Sequence, residues 1–401
     1  MYFNKKQVFR FLTLILIITV CNACRDEGDS LPPSSVSYTT LVYMAADNDM
    51  DSQVDYTLSQ LKAGAKRSAG KVVVYLDRKN ETPRLFSITQ KGEEQLLKTY
   101  GEGNSADASK LAVVIQDTKS LVPAEKFGLV LWSHGMGWLP YNHSSAKAQV
   151  LYQRTAFPKT RYIGLDQSDG TNTSPNVMEI DALANALPDN VAEYIWFDAC
   201  LMGNVETLYQ LRHKCNYFVA SPTEVLAEAD YEASGIPYSE LLPYMFGGKN
   251  DLIKACNGYM EYYRKMRYSI LRSATITLVD ANELDSLYST AKTILKGNLL
   301  LLANLNMENI QAYHTQNVPN VFFDMGGIIK KVGNGSPAYT IFQEQLARTV
   351  LYKNATDKII DKLIIDPTQC SGLSMYIPLA KWKNNNEYGY YFGKLGWSGV
   401  Y

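Results

Sequence analysis

The chain has 401 residues, of which 46% are apolar by a broad count and 20% are charged. Its 39 Lys and Arg nearly balance its 40 Asp and Glu, giving a formal net charge of −1. This balance excludes a nucleic-acid-binding protein that relies on a basic surface, because clustered cations are needed to neutralise phosphates. It also excludes wholesale disorder, which requires low hydrophobicity and high net charge. The length suits one large α/β domain or two smaller ones.

The N-terminal residues have the pattern of an export signal. A basic lead precedes an apolar run over residues 11–20, which is shorter than the roughly 20 residues that span a bilayer. Ala23 and Cys24 end this region and resemble the cleavage site of a bacterial lipoprotein. We therefore predict a signal peptide at residues 1–23, lipidation of Cys24 and a flexible tether at residues 24–36. The alternative is an ordinary secretory peptide cut nearby.

The predicted export signal indicates where the protein is located. A lipid on Cys24 would attach the chain to a membrane of the bacterial cell envelope. The acidic residues that follow this cysteine suit transport to the outer surface. The predicted product is an exported lipoprotein of the outer membrane or cell surface.

Strand and helix patterns alternate along the rest of the chain. Continuous apolar and β-branched runs, typical of strands buried in a parallel sheet, predict strands at residues 38–45, 72–76, 127–132, 194–197, 217–220 and 274–279. Two more strands are predicted, at the edge of a hairpin and late in the chain, at residues 84–88 and 372–377. Helical periodicity and start signals predict helices near residues 54–61, 105–120, 175–187, 201–212 and 252–267, and from 282. This order predicts a parallel or mixed sheet with helices on both faces.

Two reactive side chains follow predicted strands. His134 comes after the strand that ends at Trp132, and Cys200 comes after the strand that ends at Phe197. Ligands of open α/β sheets bind at the carboxyl ends of the strands, so the imidazole and the thiol can face one crevice. A helix predicted directly after Cys200 would favour its thiolate. The backbone N–H groups of Gly135 and Cys200 are candidate donors to an oxyanion.

The remaining cysteines and histidines give weaker signals. Cys200, Cys215, Cys256 and Cys370 can form two disulfides in any of three connectivities. They are sparse, however, and Cys215 and Cys256 are better interpreted as small buried hydrophobic residues. Four histidines without a His-Glu-x-x-His motif predict no metal site of the zinc type. His314 has no evident partner and is interpreted as a surface or packing residue.

Two acidic segments raise the question of calcium. Residues 47–51 and 166–170 carry enough oxygen ligands for a hard cation. Neither segment has the full twelve-residue pattern of an EF-hand, and each is equally consistent with a capped turn. The sequence therefore leaves calcium open as a ligand and predicts no required cofactor.

Three segments resemble a known family. Residues 42–49 (VYMAADND), 131–135 (LWSHG) and 196–202 (WFDACLM) are similar to those of the clostripain family of cysteine peptidases, and the likeness extends over roughly residues 38–380. This family shares its catalytic fold with caspases, legumains and gingipains. The resemblance implies a caspase-like three-layer α/β/α sandwich with a mostly parallel central sheet. It also implies a catalytic core at 37–250 and a C-terminal helical and strand extension at 251–401 packed on that core.

The resemblance also implies an activity. His134 and Cys200 would form a catalytic dyad that cleaves protein or peptide substrates through a thioester acyl-enzyme. Asp198 would line an acidic S1 pocket and select Arg or Lys at P1 through a charge-assisted bond. Glu224 or Glu228 is a candidate for a second acid in that pocket. Asp198 is also a candidate N-cap of the helix predicted after Cys200.

A long polar stretch separates the two catalytic segments, over residues 140–162. Members of the family often mature by cutting themselves after a basic residue in this region. The resemblance therefore suggests self-processing, with Lys147 and Arg154 as the candidate sites. A surface loop with solvated basic residues is the alternative.

Two other functions are consistent with parts of the sequence. Asp47 and Asp49 after the first strand suggest a phosphoryl-transfer enzyme of the haloacid dehalogenase type, but no convincing later lysine and Asp-Asp segment follows. A lipoprotein of the same fold that only binds peptides or glycans is the second alternative. The presence of His134, Gly135, Asp198 and Cys200 together argues against a decayed site.

Overall fold

A computed structural model describes residues 36–140, 165–166, 176–314, 321–380, 383–384 and 386–401. One nine-stranded sheet forms its centre, with helices on both faces. Its strands are β1 (Val36–Ala46), β2 (Lys71–Arg78), β3 (Arg84–Ile88), β4 (Glu94–Thr99), β5 (Ala124–Trp132), β6 (Ala192–Asp198), β7 (Cys215–Ala220), β8 (Thr275–Asp280) and β9 (Val350–Ala355). The helices are α1 (Asp51–Ala65), α2 (Ala108–Leu121), α3 (Ile180–Ala186), α4 (Val205–Gln210), α5 (Tyr238–Leu241), α6 (Lys249–Arg264), α7 (Leu284–Lys296), α8 (Leu299–Ala303), α9 (Met325–Gly333), α10 (Pro337–Thr349) and α11 (Asn386–Lys394).

The strand order across the sheet is β9-β8-β7-β6-β5-β1-β2-β3-β4. The five central strands, β7, β6, β5, β1 and β2, pair in parallel. Strands β3 and β4 at one edge, and β8 and β9 at the other, pair antiparallel. The predicted α/β sandwich with a parallel centre is therefore confirmed.

The central strands form where the sequence is continuously apolar. In β1 every residue from Tyr38 to Ala46 is buried, as expected for a strand that helices cover on both faces. In α1 the residues Val54, Leu58 and Leu61 recur at helical spacing and are all buried. Burial of these apolar side chains, each worth roughly 1.5–3 kcal/mol, stabilises the contact between the helix and the sheet.

The chain departs from the predicted elements in several places. The helix predicted at 175–187 begins only at Ile180, after a short strand at Asn176–Val177. Residues Glu94–Thr99 form the edge strand β4 although they are polar and mostly exposed. The strand predicted at 372–377 contracts to Ser374–Met375, which pairs with Phe323–Asp324 outside the main sheet. The helix predicted from residue 201 begins only at Val205.

The region beyond residue 250 takes part in the central sheet. Strands β8 and β9 both come from it, and β8 pairs directly with β7. The region predicted to pack on the core thus also extends its sheet, while the boundary at 250 itself stays a prediction. Within the described ranges no helix is both long and apolar enough to cross a bilayer.

The described cysteines are free and buried, at positions 200, 215, 256 and 370. The prediction that Cys215 and Cys256 behave as small buried hydrophobic residues is confirmed, because they are 2% and 0% exposed. Packing therefore determines where these two thiols lie.

Candidate active site

The sheet brings His134 and Cys200 to the same edge. Strands β5 and β6 are parallel neighbours, and their last residues, Trp132 and Asp198, are paired. His134 and Cys200 each lie two residues beyond these strand ends. Both side chains therefore emerge at the carboxyl edge of the sheet, where α/β folds bind their ligands.

One small pocket joins the predicted site residues. His134, Cys200 and Asp198 all line it, together with residues 225–227 and 234–235. Its free space is about 10 Å³, roughly the room that one water molecule needs. The pocket is therefore closed to a side chain as long as lysine or arginine in this conformation.

The Cys200 thiol is buried against the backbone of Val225. The Val225 N–H donates to the sulfur at 3.2 Å, and the thiol lies 3.6 Å from the Val225 carbonyl oxygen. Burial raises the pKa of Cys200 to about 12, with smaller increases from the negative charges of Glu224 and Asp198, while the Val225 N–H lowers it. The thiol is therefore protonated at neutral pH in this conformation.

The turn after Cys200 corrects the prediction of a helix at the nucleophile. Leu201 has a φ of +59°, a left-handed conformation that non-glycine residues rarely adopt. Helix α4 begins after this turn, where Asn204 accepts a hydrogen bond from the Thr207 N–H at 2.8 Å. Asn204, and not Asp198, is therefore the N-cap. The helix is also too far along the chain to favour a thiolate at Cys200 through its first turn.

His134 is buried and contacts a carboxylate. It is 3% exposed, and its Nε2 lies 2.6 Å from Oδ1 of Asp49. Asp49 follows strand β1, which is the parallel neighbour of β5 on the other side. Asp49 was not among the residues predicted for the site, although it ends the family-like segment 42–49 and follows a buried strand directly.

Asp198 is held at the pocket by hydrogen bonds from the segment that closes it. Its Oδ2 accepts from the Tyr238 hydroxyl at 2.8 Å, and its Oδ1 accepts from the Ile236 N–H at 3.2 Å. Burial raises the pKa of Asp198 to about 7, although both hydrogen bonds lower it. Gly235 lies directly against the carboxylate, because a Cβ there would be 2.2 Å from Oδ1. The acid therefore titrates near neutral pH.

Glu224 does not line this pocket. Its carboxylate is buried and faces the imidazole of His314, with Oε1 3.9 Å from Nε2. Glu228 is also absent from the pocket lining. Asp198 thus lines the same pocket as His134 and Cys200, whereas Glu224 lies outside it. His314, interpreted as a surface or packing residue, is buried and packs beside this acid.

Gly135 lies in close contact with the nucleophile backbone. A Cβ at this position would be 2.4 Å from the Cys200 carbonyl oxygen and 2.9 Å from the Cys200 nitrogen. Only glycine allows this approach. The two residues predicted to bind an oxyanion therefore lie side by side, while their role stays a prediction.

An aromatic cluster supports the loop that carries His134. The Trp138 ring lies 4.8 Å from the Tyr376 ring and 5.3 Å from the Tyr391 ring, measured between centroids. The Tyr401 hydroxyl donates to the Tyr376 carbonyl oxygen at 2.8 Å. Residues near position 400 thus help to fix a loop of the site. No periodicity in the sequence indicated this contact.

The acidic segments considered for calcium do not form a cation site in the described residues. Asp49 binds His134, and Asp51 pairs with Arg78 at 3.0 Å, so these carboxylates are already engaged. Asp166 accepts a hydrogen bond from the Ser105 hydroxyl at 2.8 Å. Across the described part of the chain, no group of three or more His, Cys, Asp or Glu side chains can hold a metal ion. Calcium therefore stays the open question that the sequence raised.

Several predicted features lie outside the described residues. They are the lipidation site Cys24, the candidate cleavage sites Lys147 and Arg154, and residues 167–170 of the second acidic segment. These remain predictions from the sequence.

The fold and the site together define a cysteine peptidase of the caspase-like type. The chain belongs to the clostripain family, whose sequence model matches residues 42–360. This membership leaves the phosphoryl-transfer alternative at Asp47 without support. No curated protein sequence matches the chain.

Two solved structures support the assignment. An inactive zymogen C11 protease from Parabacteroides distasonis is 28% identical with a TM-score of 0.74, and the match covers 92% of this chain and 99% of that one. A secreted C11 cysteine protease from Bacteroides thetaiotaomicron, in complex with an irreversible peptide inhibitor, is 27% identical with a TM-score of 0.73. That match covers 91% of this chain and 98% of the other.

Proposed function

We propose that this protein is an exported, lipid-anchored cysteine endopeptidase that cleaves after Arg or Lys. The observation that supports it best is the convergence of His134, Cys200 and Asp198 on one pocket at parallel strand ends. A nucleophile, a proton carrier and an acid that can bind a cationic P1 side chain are thereby within one site.

The proposed reaction proceeds in two steps. Cys200 loses its proton to His134 and attacks the scissile carbonyl, while the N–H groups of Gly135 and Cys200 bind the oxyanion. His134 then protonates the leaving amine, and a thioester remains on Cys200. In the second step His134 takes a proton from water, and the hydroxide attacks the thioester carbonyl. The bond to Cys200 then breaks, the acid product is released, and the proton on His134 returns to the cysteine sulfur. No cofactor is needed for either step.

The pocket must open before a substrate can bind. Its volume of about 10 Å³ leaves room for roughly one water molecule, so residues 225–227 and 234–235 have to move away from Asp198. Opening would also expose the thiol to water and remove the main cause of its high pKa. We propose that cleavage after Lys147 or Arg154 triggers this change.

Anchoring through Cys24 is part of the proposal. The secreted relative from Bacteroides thetaiotaomicron and the signal-like residues 1–23 support export. We propose the outer membrane or cell surface as the site of action, where protein or peptide substrates with a basic P1 residue are cut.

A panel of fluorogenic peptides that differ only at P1 tests the proposal. We expect hydrolysis with P1 Arg or Lys and none with P1 Ala or Asp, measured before trypsin treatment and again after brief trypsin treatment that a serine-protease inhibitor has stopped. Prior alkylation with iodoacetamide should abolish the activity, because the thiolate is the nucleophile. Silence toward all four peptides, with and without trypsin, would favour the alternative of a binding lipoprotein.

The selectivity for a charged P1 residue should depend on pH. The pKa of Asp198 is about 7 in the closed conformation and falls toward its ordinary value when opening exposes the carboxylate to water. We therefore expect the ratio of kcat/KM for P1 Arg to that for P1 citrulline, its uncharged analogue, to fall as the pH decreases from 8.5 to 4 and the carboxylate becomes protonated. Since both peptides use the same dyad, their ratio cancels the titration of His134 and Cys200. A ratio that stays constant over this range would contradict the assignment.

A further inference from the structure

The carboxylate of Asp49 contacts the imidazole of His134, and the proposed dyad of His134 and Cys200 gives this acid no role. Oδ1 of Asp49 is 2.6 Å from Nε2 of His134, a distance typical of a short charge-assisted hydrogen bond. The imidazole is 3% exposed, whereas the Asp49 side chain is 38% exposed. The carboxylate therefore contacts solvent while it binds a buried ring.

The backbone around Asp49 is fixed by its neighbours. The buried Asn48 side chain donates to the Ala45 carbonyl oxygen at 3.0 Å and accepts from the Met50 N–H at 2.7 Å. The Ser133 hydroxyl donates to the same Ala45 carbonyl at 2.9 Å, which joins the ends of β1 and β5. The ends of β1 and β5 thus fix the distance and orientation between the Asp49 carboxylate and the His134 imidazole.

We propose that Asp49 is a positioning residue that orients His134 for proton transfer, an inference that rests on the proposed function. Its carboxylate accepts the Nε2–H bond and leaves Nδ1 as the nitrogen that exchanges protons. Nδ1 takes the proton of the Cys200 thiol, donates it to the leaving amine, later takes a proton from water and returns it to the Cys200 sulfur when the thioester breaks. Asp49 stays ionised throughout and stabilises the imidazolium between these steps, as a buried acid does in other triads.

The test compares Asp49→Asn with the wild type on two substrates of the same peptide sequence, an amide and a thioester. Both reactions need the imidazole to deprotonate the thiol and the water, but only the amine leaving group of the amide also needs a proton from it. We expect kcat for the amide to fall about 10²–10³-fold and kcat for the thioester to fall at least about tenfold less than that. KM should change less than about threefold, because the interaction acts in the transition state.

A neighbouring acid and a second pair of variants serve as controls. Asp47→Asn removes a charge two residues earlier, beside Asp166, and should leave both rates unchanged. Rates are divided by the number of sites that an irreversible peptidyl inhibitor titrates, so unfolded protein does not count. Should Asp49→Asn yield no titratable sites, Asp49→Glu and Asp49→Gln replace it, and the carboxylate variant should retain more amide hydrolysis.

Three results would overturn the inference. If Asp49→Asn hydrolyses the amide as fast as the wild type or faster, the carboxylate does not orient the imidazole for catalysis. An equal loss on amide and thioester would indicate a general structural role. If the wild type cleaves neither substrate, the proposed function fails together with this inference, whereas the first two results leave that function intact.

Discussion

Replacing Cys200 by alanine is expected to abolish peptide hydrolysis, with a loss of about 10⁵-fold or more that reaches the background rate. The reason is that no other group lining the pocket can form the thioester. The measurement is kcat/KM on the P1 Arg peptide after both proteins have been treated with trypsin and the trypsin, which also cleaves after Arg, has been inhibited. An external protease is used because the proposed self-processing would be lost in the variant.

Cys256→Ala is the matched control for this experiment. Cys256 is also a buried thiol, with 0% exposure, but it lies on helix α6 away from the pocket lining. We expect the activity of Cys256→Ala to equal that of the wild type. In both the wild type and Cys256→Ala, mass spectrometry should locate a bound peptidyl electrophile on Cys200. Residual hydrolysis by Cys200→Ala above background, or labelling of another cysteine, would contradict the assignment of the nucleophile.

Asp198→Asn should remove the preference for a basic P1 residue. A cationic side chain in the opened pocket would lose its charge partner, and losing one member of a buried charge pair costs roughly 2–5 kcal/mol. We therefore expect kcat/KM for P1 Arg to fall about 10²–10³-fold. The rate for P1 citrulline should change less than about tenfold, because it does not depend on the charge.

Glu224→Gln distinguishes the two acids considered for this role. Glu224 is as buried as Asp198, but its carboxylate faces His314 and not the pocket. The variant should therefore keep the preference for arginine over citrulline. If Asp198→Asn lowered both rates equally while Glu224→Gln removed the preference, the assignment of the S1 acid would have to be reversed.

The sequence predicted the central sheet and the meeting of His134 with Cys200 because both depend on local signals. Continuous apolar runs such as residues 72–76 indicate strands buried on both faces. Parallel strands place their carboxyl ends at one edge, so a polar residue just after each run falls in the same crevice. The apolar pattern of the strands and their parallel order were therefore sufficient to predict the central sheet and the positions of His134 and Cys200.

Other features depend on contacts between distant parts of the chain. Asp49 meets His134 across 85 positions of sequence, and no spacing rule indicates such a contact. The polar strand Glu94–Thr99 forms because its backbone pairs with β3, which its side chains do not reveal. Leu201 adopts a left-handed turn against its own propensity, and this turn delays the helix that the pattern placed directly after the nucleophile.

The loop that carries His134 packs through Trp138 on residues that are synthesised late, Tyr376 and Tyr391. Ribosomes synthesise Cys200 and His134 long before Tyr376 and Tyr391, and domains fold as their segments become available. A chain that is still being synthesised holds both reactive side chains, but it lacks the surface on which the histidine loop packs. Assembly of the site is therefore delayed until the C-terminal segment has been made, so a nascent chain carries the two reactive residues before it has a complete site.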